Sequence, residues 1–407
     1  MSRSTTLGAS LALLLASSPG IAIAQNPAYQ SFFTAVCAGA GAPTGLLATR
    51  CAETAAGSLS SDAEDSLNPS QLATANEAAI MRSQRLRDQI EDRVSEGREA
   101  DSSQRVFDGA FGIFANVKAS RFDRDASRQE RGIDGESYGS QIGFDYWISE
   151  GLVAGALFSI ERTEGDFDAD LPGAGFTPGS TEGSLDSENY TVVVFGAGDV
   201  GGGVWLDGTA GIGATRYEID RRVLFQNGAR TTTTVVGTSS DPDGGEFFGG
   251  LGLSFDVAEG AFTLGGFARG DYVRTWIDSH TEADKTSSGL AQRVDRQVRE
   301  SLTGTIGTQM SYAISTAAAV LLPQLRFAFV HEFDRDAQTS QVSLVLDAAG
   351  VAFELKGERP DRNYAELGVG ISAVMPDGWM AYVDLEALLA YDDLERHTVT
   401  LGVRKEF

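Results

Sequence analysis

HTVTLGVRKEF, residues 397–407, is two interleaved lists of side chains. Val399, Leu401, Val403 and Phe407 fall on one face, and Thr398, Thr400, Arg404 and Glu406 fall on the other. A period of two is what a β-strand shows when one face meets an apolar medium and the other a polar one. Lys405 is the exception on the apolar face. Near the edge of an apolar layer a lysine can lay its stem along that surface and send its amine to water.

The same alternation recurs upstream. Ala381, Val383, Leu385, Ala387 and Leu389 alternate with Asp384 and Glu386, and Leu251, Leu253, Phe255 and Val257 with Gly252, Ser254 and Asp256. Ile142, Phe144, Tyr146 and Ile148 repeat it, as do Phe111, Ile113, Ala115, Val117 and Ala119. Twelve such segments are expected: 110–122, 137–149, 152–164, 188–198, 203–220, 246–257, 261–277, 299–313, 319–333, 364–375, 379–391 and 397–407. Each is long enough to cross a bilayer as a tilted strand, which takes about 9–11 residues.

The connections sort by length. Glu150-Gly151, Asp199–Gly202, Glu259-Gly260, Ser315–Ala317 and Pro376–Gly378 are tight, while 123–136, 165–187, 221–245, 278–298 and 334–363 are long and polar. Only the last connection, Asp392 to Arg396, is short against the pattern. Short turns at one end and long loops at the other are what an outer-membrane barrel shows. A soluble sandwich would alternate too, but it has no reason to sort its loops or to exceed the usual strand length of about 5–6 residues. The mature chain has no apolar run of the roughly 20 residues that a membrane helix needs. A membrane-spanning reading therefore requires a closed barrel.

The N-terminus reads as an export signal, residues 1–24. Arg3 begins it, Leu7 to Ala16 is apolar, and Ala22-Ile23-Ala24 precedes Gln25 in a small-residue cleavage pattern. A small unit follows, 25–68, in which Tyr29, Phe32, Phe33, Val36 and Cys37 recur at helical spacing and GAGAPTG (39–45) breaks the helix. Leu46, Leu47, Arg50 and Cys51 suggest a second helix. In an exported protein the two lone cysteines, Cys37 and Cys51, are most simply a disulfide, and they are too few for a metal site. Asn68-Pro69 then reads as a helix start. The pattern stays helical to about Val94, with Arg82, Arg85 and Arg87 among alternating acids. These arginines face either water, as ordinary ion pairs, or the inside of the barrel.

A terminal aromatic on a strand such as HTVTLGVRKEF resembles the assembly signal of bacterial outer-membrane proteins, carried here by Val399, Leu401, Val403 and Phe407. PQLRFAFVHEF (323–333), DRNYAELGVGISAVMPDGWMAYVDLEALL (361–389) and that last strand resemble the final strands of the autotransporter (type V secretion) translocator domain. The resemblance covers about residues 70–407. It implies an all-β fold: a twelve-stranded antiparallel transmembrane β-barrel (107–407) with a luminal α-helix and its connection (69–106), and the small helical segment before it. It further implies a Gram-negative outer-membrane location, reached through the inner membrane by the cleaved signal. The expected partners are outer-membrane lipid and lipopolysaccharide, periplasmic chaperones and the barrel-assembly machinery, with the barrel a monomer. The expected role is to translocate or display a short N-terminal segment. The alternative is a structural or pore-like barrel with no secreted passenger.

Other function classes are disfavoured. A net charge of −25 opposes nucleic-acid binding. Gly196, Gly198 and Gly201 fit a dinucleotide motif with Glu218 beyond, but a strand pattern follows where a helix is needed. Asp166, Asp168 and Asp170 start like a calcium loop, yet Leu171 and Thr177 occupy its glycine and glutamate positions. His280, His331 and His397 form no catalytic pattern, no GxSxG motif is present, and no enzyme, cofactor or metal is expected. Asn76 is the only asparagine of the luminal helix, and the Asn-Asn pair at which some autotransporters cut themselves is absent.

Overall fold

A computed structural model describes residues 27–39, 43–55, 57–74, 111–127, 129–149, 151–169, 181–334 and 336–407. The expected signal peptide, most of the expected luminal helix with Asn76, Arg82, Arg85 and Arg87, and Asp170 lie outside them.

Twelve strands build the wall: β1 (Phe111–Arg124), β2 (Ile133–Ser149), β3 (Leu152–Phe167), β4 (Glu182–Gly201), β5 (Val204–Gln226), β6 (Asp243–Glu259), β7 (Phe262–Ile277), β8 (Gln297–Tyr312), β9 (Val320–Glu332), β10 (Asn363–Val374), β11 (Trp379–Leu389) and β12 (Leu394–Glu406). Each pairs antiparallel with the next. β12 pairs with β1 from Gly112↔Glu406 to Arg124↔Leu394, so the sheet closes on itself. Closure removes the free edges that would otherwise leave backbone groups unpaired in lipid.

The period-two faces fall as the sequence dictates. Val399, Leu401, Val403 and Phe407 are exposed on the outer face, while Thr398, Thr400 and Arg404 are buried on the inner one. Tyr382 faces inward over Gly402, where a Cβ would collide with its ring. Tyr382 then accepts a hydrogen bond from Asn116 Nδ2 on β1 at 3.2 Å, which ties β11 to β1 across β12.

At the long-loop end the strands run further than the apolar alternation. β2 begins at Ile133 and β4 at Glu182, and β5 continues through Gln226 to pair with a return strand, Thr233–Ser240. Pairing continues there because backbone hydrogen bonds need no apolar face. Beyond the lipid the outward face turns polar, as in the exposed pair Arg162–Glu164, while the apolar side chains, such as Ile133 and Leu185, face inward, so the lipid-facing alternation ends. A four-stranded loop sheet forms at the same end from His280–Thr281, Gln292–Val294, Thr339–Leu344 and Ala352–Lys356.

Among the described residues, α1 (Pro27–Ala38), α2 (Gly45–Ala52) and α3 (Ser61–Leu67) precede the barrel. Ser60 caps α3 by accepting from Ala63 N at 3.2 Å. Residues 70–74 are helical. No described helix is long and apolar enough to cross a membrane.

Candidate functional site

The inner wall carries ion pairs, most of them joining different strands, beside an apolar group of Phe114, Leu157, Val193, Phe195 and Phe248. Arg404 on β12 meets Asp145 on β2 at 2.5 Å, across β1. Lys118 on β1 pairs with Glu161 on β3. Arg269 on β7 binds Asp271 at 2.8 Å and reaches Asp207 on β5. Arg326 on β9 pairs with Glu386 on β11 at 2.7 Å, and Arg396 on β12 lies 3.3 Å from both Glu386 and Glu366. Glu246 on β6 accepts from Thr191 at 2.6 Å and Asn189 at 3.2 Å on β4. Burial makes such charges expensive unless they are paired, so the pairs fix which strands meet.

Strand alternation places Asp145, Glu161, Asp207, Asp256, Glu366, Asp384 and Glu386 inside, with Lys118, Arg269 and Arg326 as partial offsets. The structure adds Arg396 and Arg404, and Asp145, Glu161, Asp207, Glu366 and Glu386 each lie against a cation of the wall itself.

The closing seam ends on aromatic rings. Phe407 N donates to Phe111 O at 2.9 Å, and the two ring centroids are 6.5 Å apart. Lys405 lies with its amine 5.5 Å from the Trp379 ring centroid and 5.6 Å from that of Phe407, and donates to the Asp377 carbonyl. The lysine that departs from the apolar list is thus held over two ring faces at the rim.

At the long-loop end the inner face changes character. Phe122, Ile133, Phe167, Tyr217, Ile277 and Val330 point inward and are buried together around Leu72 and Ala73. Above them lies a second apolar cluster in which Tyr29, Phe32, Phe33, Leu47 and Leu67 of the N-terminal unit meet Val223, Phe225 and Val236 of the extended hairpin. Leu290, Leu344 and Phe353 from the loops complete it. The unit therefore shares its core with the barrel's loops. A hairpin of this size has too little apolar surface to fold firmly alone. Cys37 and Cys51 are joined by a disulfide with Cα atoms 5.4 Å apart, on α1 and α2.

Burial pushes the Tyr29 hydroxyl up to about 12, with Arg221 and Gln292 beside it opposing the shift. Beneath it Arg221 and Glu282 form a two-pronged pair at 2.7 Å, fully buried between the hairpin and the loop sheet.

The decoy motifs separate. The run Gly196–Gly201 ends β4, and a second strand follows its turn, where Gly201, Gly202 and Gly203 take positive φ. Asp166 sits in β3 and Asp168 beyond it, and no group of three or more possible metal ligands occurs among the described residues. His280 lies in a loop strand, His331 on β9 bonds Asn363 Oδ1 at 2.7 Å, and His397 on β12 faces Arg121. No site gathers these three.

Residues 113–386 match the autotransporter beta-domain family. The chain belongs to that family. Its barrel is similar to the translocator domain of the autotransporter NalP from Neisseria meningitidis, with a TM-score of 0.54 and 14% identity, covering 79% of this chain and 98% of that one. The beta domain of the Bordetella autotransporter BrkA aligns with a TM-score of 0.49 and 19% identity, over 73% of this chain and all of that one, 100%. No curated protein matches the sequence. An autotransporter barrel is an outer-membrane barrel. That sets the orientation of the wall: tight turns and Phe407 toward the periplasm, long loops toward the outside.

Proposed function

We propose that this autotransporter barrel translocates its own short N-terminal segment, residues 25–68, and displays it at the cell surface. The carrying observation is the packing of α1, α2 and α3 on the long-loop end, where Ser66 Oγ accepts from Leu224 N at 2.8 Å. The chain leaves the described residues at Thr74, inside the mouth, and resumes at Phe111 on the opposite rim. The most direct path between these points is the lumen. Residues 75–94 as a helix, at 1.5 Å per residue, span about 30 Å, and the connection that follows covers the rest of the path. In this proposal the luminal helix carries Arg82, Arg85 and Arg87 down the wall. The signal peptide 1–24 is removed before assembly. Lipopolysaccharide, periplasmic chaperones and the assembly machinery are its partners, and the barrel works as an anchor and conduit without catalysis.

A tag at Gln25 tests the reading. Labelling by an impermeant reagent on intact cells is the expected result. Labelling only after the outer membrane is opened would favour a pore-like barrel whose N-terminus stays in the periplasm. For the helix, planar-bilayer recordings compare the full chain with one lacking residues 25–95. The truncation is expected to conduct more and melt lower, and equal values would place the helix outside the lumen.

A further inference from the structure

Once outside, a displayed segment could be free, shed or held. We infer that the outer mouth of this barrel is a receptor for the chain's own residues 27–74, so that the N-terminal unit is a retained lid rather than a released passenger. The inference rests on the display reading and adds the partner of the displayed unit.

Three independent features carry it. Below the mouth the inner face mixes ion pairs with an apolar group that includes Phe114, Leu157, Val193 and Phe248, whereas at the outer ends Phe122, Ile133, Tyr217 and Val330 surround Leu72 of the N-terminal unit. A water-filled mouth has no use for apolar side chains, whereas a seat for a chain segment requires them. Above that ring, the hairpin formed by β5 and Thr233–Ser240 projects Val223, Phe225 and Val236 into the core of the unit. Phe225 packs against Phe33 at 6.0 Å between centroids, with the Arg50 guanidinium 5.4 Å from its ring centroid. Without the unit these side chains would form an exposed apolar patch on a protein facing water, which soluble surfaces avoid.

The third feature is backbone stitching. Ser60 N donates to Gln226 O at 3.0 Å, and Gly228 N donates to Ser58 O at 2.9 Å, on either side of the Leu59↔Asn227 bridge. Asn227 Nδ2 donates to Glu53 O at 2.8 Å. Thr74 Oγ1 donates to Arg131 O at 3.1 Å, at the inner end of the described N-terminal unit. A passenger merely passing through would leave these groups to water. Here they are matched within the fold, and the lid and loops constitute one ectodomain.

Hydrogen exchange on the full-length protein in nanodiscs tests the inference. Residues 29–67 and the loop segments 221–238 and 342–355 should exchange as one cooperative unit. Phe225→Asp should speed exchange in all three by about ten-fold or more, with β1 and β12 unchanged. Phe33→Asp, which lies outside the barrel wall and spares its assembly, should loosen the same loops, while Phe225→Leu should keep the coupling. Free exchange of 29–67 in the wild type would overturn the lid. So would loops that stay protected in Phe33→Asp. Surface labelling at Gln25 reads separately: labelling with uncoupled exchange removes the lid and leaves display standing. Coupled exchange with no labelling in intact cells removes the outward placement of the lid and the display reading, and leaves only the retained contact.

Discussion

Along the membrane wall, Arg404 reaches Asp145 two strands away, and Tyr382 reaches Asn116 by the same distance. At the outer end, Phe33 of α1 meets Phe225 of β5 and Tyr29 meets Phe353 in the last long loop. The wall is built from neighbours, and its specificity is carried by charges that cannot be left alone. The lid is built from segments far apart in the chain, and its stability comes from shared apolar burial and a covalent staple. A strand can be added to the wall by pairing with the one before it. The lid has no core until hairpin, loops and N-terminal unit are all in place.

The sharpest way to break the wall is at its seam. Deleting Phe407 removes the last backbone bond to Phe111 and one of the two rings beneath Lys405. The amount of heat-modifiable barrel in the outer membrane should fall several-fold, with periplasmic degradation, before any effect on the lid is measurable. Normal levels would show that closure does not depend on the terminal aromatic. Next in size is Arg404→Leu, which leaves Asp145 buried without that cation. The expected loss is about 3–5 kcal/mol, read as a lower urea midpoint for the folded gel band. Adding Asp145→Asn should recover much of it. Failure to recover would mean that the pair acts through packing.

The lid should respond to changes that the wall ignores. Cys37→Ala with Cys51→Ala frees a closed loop whose cross-link contributes about 3 kcal/mol in the chain-entropy account. Exchange should rise in residues 29–67, with the barrel's heat-modifiability unchanged. Mass spectrometry of unreduced peptides from the envelope gives the direct check, since two alkylatable thiols there would show that no cross-link forms.

The smallest effect is on pH, and it should differ between two parts of the mouth. Burial pushes the carboxyls of Asp168, Asp361 and Asp393 up, with neighbouring acids adding to it. A raised carboxyl binds its proton more tightly when folded. Its contribution is present below the unfolded value near about 4 and is lost as pH rises through the folded one. Asp284 is the opposite case. Burial works against its charge, but backbone N–H groups of Gly289, Ser288 and Thr286 outweigh it and hold the carboxyl low. Its contribution is present above that unfolded value and is lost as pH falls through the folded one. From about pH 4 to 7, exchange should quicken at 357–362 and 390–393 while 284–290 stays protected. A uniform response around the mouth would mean that these local environments do not govern it.

The wall was legible because its determinants are local. Period two needs only the residue and its second neighbour, so Val399, Leu401 and Val403 show their face without knowledge of a partner. The alternation of loop lengths then decides which end is which. The outer ends of β2, β4 and β5 read as loops in the sequence because outside the lipid the outward face is polar and the lipid-facing alternation stops, although Ile133, Leu185 and Phe225 are buried there. Cys37 and Cys51 could be proposed as a pair from export and number alone, but not the surface on which their hairpin rests. That surface was decided only by the tertiary structure. Val223, Phe225 and Val236 lie in a stretch that reads as a polar loop, and Phe353 lies in another. Nothing in either sequence neighbourhood says that they meet α1. Their burial depends on barrel closure, which brings the ends of distant strands to one rim. The sequence of a strand records the medium on each side of it, and the medium of the lid is the rest of the protein.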